Sequence, residues 1–159
     1  MEFVENYMLK KLDEIETENL CRFISDEIDP YLTIPLSDKL VTNNLFEYIK
    51  KIQQRADGYV VVDEDTNIVA IVAGYIRNRY IDKEVYITMF GVHNSHRNKG
   101  IGSRLMQKFL NDVPQECMVW TNCDKSNLTA KNFYFKMGFR VVSEHDERLV
   151  ISTYGRRSQ

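Results

Sequence analysis

At 159 residues, 43% of them hydrophobic and 28% charged, the chain has the proportions of one ordinary domain with apolar residues enough for a real core. A net charge of −2 gives no bulk electrostatic reason to bind nucleic acid. No apolar run approaches membrane-spanning length, and Met1-Glu2-Phe3-Val4-Glu5-Asn6 does not resemble a secretory leader. Cys21, Cys117 and Cys123 are odd in number and lack metal-type spacing, which predicts reduced thiols in a cytoplasmic protein and neither a disulfide framework nor a zinc site.

Tyr7 to Leu12 reads as a short strand or a helix start, with the strand preferred. Leu20, Phe23, Ile24 and Ile28 then share one helical face, with acids Glu16 and Glu18 near the N-terminus where they suit the dipole. Asp29-Pro30 ends that helix, because a residue before proline is pushed out of the α region. Ser37 is a candidate N-cap for a second amphipathic helix carrying Leu40, Val41, Leu45, Tyr48, Ile49 and Ile52 to about Arg55. The apolar connection Pro30 to Ser37 is expected to line a pocket. Tyr59 to Val62 and Ile68 to Ile76, joined through Asp63 to Asn67, read as a hairpin. The second strand is apolar at consecutive positions, as in one covered on both faces.

Val85 to Val92 is the next strand, and Ile101, Leu105, Met106, Phe109 and Leu110 mark one face of a helix. Between them lies Arg97-Asn98-Lys99-Gly100-Ile101-Gly102. The first N–H groups of a helix have no internal partner, the glycines let an anion approach the backbone, and Arg97 and Lys99 add charge. The turn is a candidate phosphate cradle; read alone, it is equally a glycine-containing connection with solvated basic residues. It is neither a dinucleotide fingerprint, since Leu105 stands where the third glycine would be, nor a Walker loop. Met118-Val119-Trp120 begins another strand after Pro114. Ser126 is expected to cap a helix carrying Leu128, Phe133 and Met137 that stops at Gly138. Phe139 to Ser143 and Leu149 to Ser152 complete a last hairpin, and 155–159 is expected to fray. No repeat or linker divides the chain, so a single domain over 1–159 of α/β or α+β class is expected.

Asn127 to Phe139 has the form Asn-x-x-Ala-x-x-Phe-Tyr-x-x-x-Gly-Phe. With Arg97 to Gly102 upstream, it resembles the GNAT superfamily of acyl-CoA-dependent N-acyltransferases. The two motifs span Val85 to Phe139, and the element order outside them is also similar. Read alone, the second motif would be a core helix with a packed tyrosine. The resemblance implies a twisted central sheet of six to seven strands, flanked by about four helices and splayed at the cofactor site.

It also implies acetyl-CoA as cofactor. The arm of coenzyme A would pair with backbone groups of Phe90 and Val92, with Gly91 permitting a bulge that opens the splay. Its phosphates would be held by Arg97, Asn98, Lys99, Gly100, Gly102 and Ser103, with Asn127 orienting the cofactor or capping its helix. Helix-dipole attraction gives only about 0.3–1 kcal/mol per charge, so charge-assisted hydrogen bonds must supply much of the rest. Two histidines in the same region, His93 and His96, are read as surface residues and not as metal ligands.

The implied reaction is direct attack of a primary amine on the thioester. An alkylamine of pKa about 10.4 is about one part in a thousand neutral at pH 7, so a proton must be removed. The departing thiolate needs one, and a tyrosine gives it for roughly 2 kcal/mol. Tyr134 occupies the family's general-acid position. Glu84 is the candidate base, with Tyr86 or a water chain as alternatives. An acyl-cysteine on Cys123 is disfavoured, since no histidine pairs with it. The acceptor pocket is expected from Ile28 to Leu45 and from Glu144 to Arg148, suiting a small-molecule amine such as an amino sugar. Neither nucleic acid nor membrane is an expected partner, and a homodimer through the last strands is common among such proteins. A coenzyme A sensor without catalysis, and an acetyltransferase of protein N-termini or lysines, are the other readings.

Overall fold

A computed structural model describes residues 2–31, 44–76 and 84–153. The chain opens with strands β1 (Glu2–Val4) and β2 (Tyr7–Lys11), then helices α1 (Thr17–Glu27) and α2 (Leu45–Arg55). Strands β3 (Asp57–Val62), β4 (Ile68–Tyr75) and β5 (Glu84–Val92) follow, then helix α3 (Ile101–Asp112) and β6 (Met118–Asp124). Helix α4 (Leu128–Lys136) and the hairpin β7 (Arg140–His145) and β8 (Arg148–Ser152) close the described fold.

All eight strands form one sheet in the order β1-β2-β3-β4-β5-β6-β8-β7. Every neighbouring pair is antiparallel except β5 with β6. That is at least one strand more than the expected six to seven. The addition is β1, whose three residues are too few to carry a periodic signal; it folds back on β2 through Asn6 at φ 74°. The number of helices among the described residues is as expected.

Two cores lie on opposite faces of the sheet. Leu20, Phe23 and Ile24 of α1 and Ile49 and Ile52 of α2 pack on Val60, Val62, Ile71, Ala73 and Met89. Ile101, Leu105, Met106, Phe109 and Leu110 of α3, with Tyr134 of α4, pack on Val61, Val72, Val85, Ile87 and Val119. Each fully buried large side chain contributes about 1.5–3 kcal/mol of transfer free energy, so both helical layers are bound by the faces that periodicity predicts. Close packing explains two glycines. A Cβ on Gly74 would lie 2.7 Å from Phe109 Cζ, and one on Gly58 would lie 2.0 Å from the Val72 carbonyl oxygen.

Three local expectations are corrected. The cap of α4 is Asn127, whose side chain accepts from Ala130 N–H at 3.1 Å, and not Ser126. Leu128, at the first helical position just after that cap, is 63% exposed and outside the apolar face, which Ala130, Phe133, Tyr134 and Met137 supply. Helix α2 begins at Leu45 with Asn44 as its cap. The expected cap Ser37, the helix positions Leu40 and Val41, most of the 30–37 connection and the tail 155–159 lie outside the described residues. Among those described, no helix is long and apolar enough to cross a membrane.

Candidate active site

The site begins where β5 and β6 part. Strand β4 accompanies β5 from Tyr86 to Val92, but β6 pairs with it only at Glu84–Met118, Val85–Val119 and Tyr86–Trp120. Beyond that rung β6 runs on beside β8. The Thr121 hydroxyl donates to the Ile87 carbonyl at 2.9 Å and closes the seam at its last point of contact. Past it, no strand among the described residues lies beside the edge of β5 that faces β6. His93 N–H donates to the Val69 carbonyl in β4, and alternation therefore turns the backbone groups of Phe90 and Val92 away from β4, toward the opening. The Val92 carbonyl there accepts from Arg97 Nε at 3.3 Å.

A bulge sets this arrangement, but not at Gly91. Ala73 stands opposite Met89 and Gly74 opposite Ile87, so the extra residue is Thr88, while Gly91 pairs regularly with Ile71. Thr88 hydrogen-bonds Tyr48 of α2 at 3.3 Å. Before it, Val85 and Ile87 face α3; after it, Phe90 and Val92 do. The inserted residue thus shifts the alternation by one. Gly91 has a different cause: a Cβ there would lie 2.9 Å from Ile28 Cγ1.

The glycine turn sits at the wide end of the opening. Asn98 and Gly100 are both left-handed, at φ 65° and 78°, and Gly100 is the N-cap of α3. A Cβ on Gly100 would meet nothing within 4 Å, so the space above it is open. Intrahelical bonding starts with Arg104 N–H to the Gly100 carbonyl, which leaves the N–H groups of Ile101, Gly102 and Ser103 as the orphan donors of the first turn. Arg97, Asn98, Lys99, Gly100 and Ser103 are exposed, and Gly102 is half-buried against Val92, Phe90 and Phe133. Open space over a positive φ, orphan N–H groups and two cations fit a diphosphate.

Tyr134 comes to the opening from α4. Its ring packs on Phe90, Phe133 and Phe139, with centroids at 6.2, 5.6 and 5.3 Å, and the residue is only 7% exposed. Burial foremost, then the nearby Cys123 and Tyr86, push its pKa well above the ordinary tyrosine value. Among the described residues the hydroxyl has no hydrogen-bond partner. The raised pKa keeps it a protonated donor.

From the other side of the sheet come Tyr86 and Trp120, with ring centroids 4.4 Å apart at the last rung before the parting. The Tyr86 hydroxyl accepts from Asn122 Nδ2 at 3.4 Å, and burial foremost raises its pKa. Trp120 and Asn122 escaped the sequence reading. Their signal was the alternation of β6, in which half-buried Trp120 and Asn122 are interleaved with buried Val119, Thr121 and Cys123. Glu84 is not brought to the opening. It is exposed on the paired rung with Met118, two residues and roughly 7 Å along the strand from Tyr86. Burial raises the Cys123 thiol to about 11, which keeps it neutral.

His93 and His96 are structural here. His93 Nε2 lies 3.1 Å from Glu27 of α1, and His96 Nδ1 lies 2.8 Å from the Tyr7 hydroxyl of β2. Among the described residues no group of three His, Cys, Asp or Glu side chains could hold a metal ion. A cavity lined by Lys11, Asp57, Tyr59, Phe109 and Asp112 lies toward the opposite end of α3 and contains none of the predicted site residues.

A family model described as acetyltransferase (GNAT) matches residues 21–139. No curated protein matches the sequence. Among solved structures, one from Pyrococcus horikoshii OT3 aligns at a TM-score of 0.70 and 18% identity, over 92% of this chain and 96% of that one. Arabidopsis thaliana NAA60, in complex with a bisubstrate analogue, aligns at 0.70 and 16% over 92% and 96%. The PaiA N-acetyltransferase of Thermoplasma acidophilum, in complex with coenzyme A, aligns at 0.67 and 14% over 92% and 97%.

Proposed function

The chain belongs to the acetyltransferase (GNAT) family, and on that premise we propose that it transfers an acetyl group from acetyl-CoA to the primary amine of a small molecule. The observation that carries this reading is the parting of β5 from β6, with the glycine turn at its wide end and the Tyr134 hydroxyl beside its narrow one.

Acetyl-CoA supplies an activated acyl carbon and a thiolate leaving group. The N–H groups of the α3 first turn and the side chains of Arg97, Asn98, Lys99 and Ser103 would bind the diphosphate. The outward-turned backbone of Phe90 and Val92 would hold the arm as an added strand. Asn127 acts through its helix: its cap fixes the start of α4 and hence the position of Tyr134, a positioning role. One N–C bond forms and one C–S bond breaks. One proton leaves the amine, and the Tyr134 hydroxyl gives one to the departing sulfur. A raised pKa keeps that proton in place across the physiological range. As a base Glu84 would act through water, since it stands two residues before the last shared rung. A neutral Cys123 supports direct attack over an acyl-enzyme. Three free cysteines suit a reducing cytoplasm.

The test is coenzyme A release on mixing acetyl-CoA with amines, alongside calorimetry of coenzyme A binding. Binding with release is the expected result. Binding without release from any amine or peptide would leave a coenzyme A sensor. Release with peptides alone would move the acceptor to proteins.

A further inference from the structure

The strand register carries the acceptor side beyond Tyr86. In the β6–β8 ladder Trp120 stands opposite Ser152, Asn122 opposite Val150 and Asp124 opposite Arg148. Paired residues of adjacent strands share a face, as do residues two apart along one strand. Cys123, Leu149 and Ile151 lie in the core beneath α3 and α4. Trp120, Asn122, Asp124, Val150 and Arg148 therefore occupy the other face, with Tyr86. Helices α1 and α2 pack over β3, β4 and β5, and their core includes no residue of β6 or β8.

On this face the charged groups of β5, β6 and β8 are Glu84, before the last shared rung, and Asp124 and Arg148, beyond it; on the neighbouring β7, Arg140 stands opposite Ser152 and His145 opposite Arg148. Arg148 is exposed and, among the described residues, has no ion-pair partner. The Tyr86 hydroxyl is hydrogen-bonded by Asn122, and Tyr48 and Arg148 lie near enough to act on it electrostatically. An amine entering beside Tyr86 and Trp120 thus lies at one end of a strip floored by two aromatic rings, an amide and Val150. A guanidinium stands at the other end. Arg148 lies four residues, or roughly 13 Å, further along the ladder than the Tyr86–Trp120 rung, a span that its side chain, extended along the strip, and a spacer of a few methylenes would fill together.

We propose that the acceptor is a short primary amine carrying a carboxylate, and that Arg148 selects it. The planar fork of a guanidinium takes a carboxylate through two parallel hydrogen bonds, and its charge repels the second ammonium of a polyamine. An amino sugar, suggested by the acidic residues of the flanking segments, has no carboxylate and serves as a neutral control. The proposal rests on the transferase reading above.

The experiment compares 4-aminobutyrate with its amide, glucosamine and spermidine as acceptors in coenzyme A release, for the wild type and for Arg148→Gln and Arg148→Lys. The expected kcat/KM for 4-aminobutyrate is about tenfold above that for the amide. Arg148→Gln should raise KM for 4-aminobutyrate about tenfold, leave that for the amide and for acetyl-CoA unchanged, and be partly rescued by Arg148→Lys. By calorimetry, Arg148→Gln should also weaken binding of the product 4-acetamidobutyrate. Equal use of acid and amide, better use of spermidine, or a rise in the acetyl-CoA KM would overturn the proposal while leaving the transferase standing. No release from any amine, with coenzyme A still bound, would overturn both.

Discussion

The two edges of β5 differ in kind. Along one, β4 pairs with it antiparallel from Tyr86 to Val92; along the other, β6 follows for three parallel rungs and leaves. The paired edge lies between two helical layers, with Val72, Ala73, Ile87 and Met89 buried on one face or the other. At the open edge side chains stand in for a strand: the Thr121 hydroxyl donates to the Ile87 carbonyl and Arg97 Nε to that of Val92. An unpaired strand edge is a liability unless something pairs with it, and it is also the surface to which an extended ligand can add. The firm edge is what keeps the open one straight enough to serve.

The sharpest break between the two edges is Tyr134→Phe. It should lower kcat about a thousandfold, or about 4 kcal/mol in the barrier, with KM for acetyl-CoA nearly unchanged. The denaturation midpoint should stay put, since among the described residues the lost hydroxyl has no hydrogen-bond partner; steady-state kinetics and urea titration check both. Gly58→Ala acts on the firm side. A methyl 2.0 Å from the Val72 carbonyl oxygen must push β3 from β4, and a loss of about 3 kcal/mol is expected in equilibrium unfolding. Thr121→Val leaves the Ile87 carbonyl without its donor and should cost about 2 kcal/mol. Amide exchange in that variant should quicken at β6 and not at β4. Gly100→Ala should raise the acetyl-CoA KM about tenfold while costing about 1 kcal/mol of stability for a side chain at φ 78°. Cys123→Ala should change least. With its pKa raised to about 11, only about one thiol in a thousand is ionised at pH 8, so kcat should hold within about twofold. No limb of the pH–rate profile between pH 7 and 9 should vanish with it.

Much of this architecture was legible because periodicity is a local property. Leu105, Met106, Phe109 and Leu110 announce one helix face, and Ile68 to Ala73 a doubly covered strand, whatever the rest of the chain does. The glycine turn was legible as a candidate phosphate cradle, and Tyr134 as a candidate acid only through a motif shared with a family. What stayed hidden depends on pairing. The run Ile87-Thr88-Met89-Phe90 is apolar or β-forming at every step, so nothing in it reveals which residue is the insertion. Gly91 looked like the flexible point, yet its missing side chain makes room for Ile28. The distance of Glu84 from the parting was hidden too: the register sets it two residues before the last shared rung. Arg148 lies at the end of the segment expected to help build the acceptor pocket, but its face follows from the β6–β8 register alone.

The Thr88 insertion divides one strand into two independently variable halves. Positions ahead of it, Tyr86 among them, are those proposed to meet the amine; positions after it, Phe90 and Val92, are those proposed to hold the acyl donor from the reverse side. A lineage could therefore rewrite its choice of amine without renegotiating its hold on the acyl donor. Removing that one residue would swap the two sets and forfeit both at once.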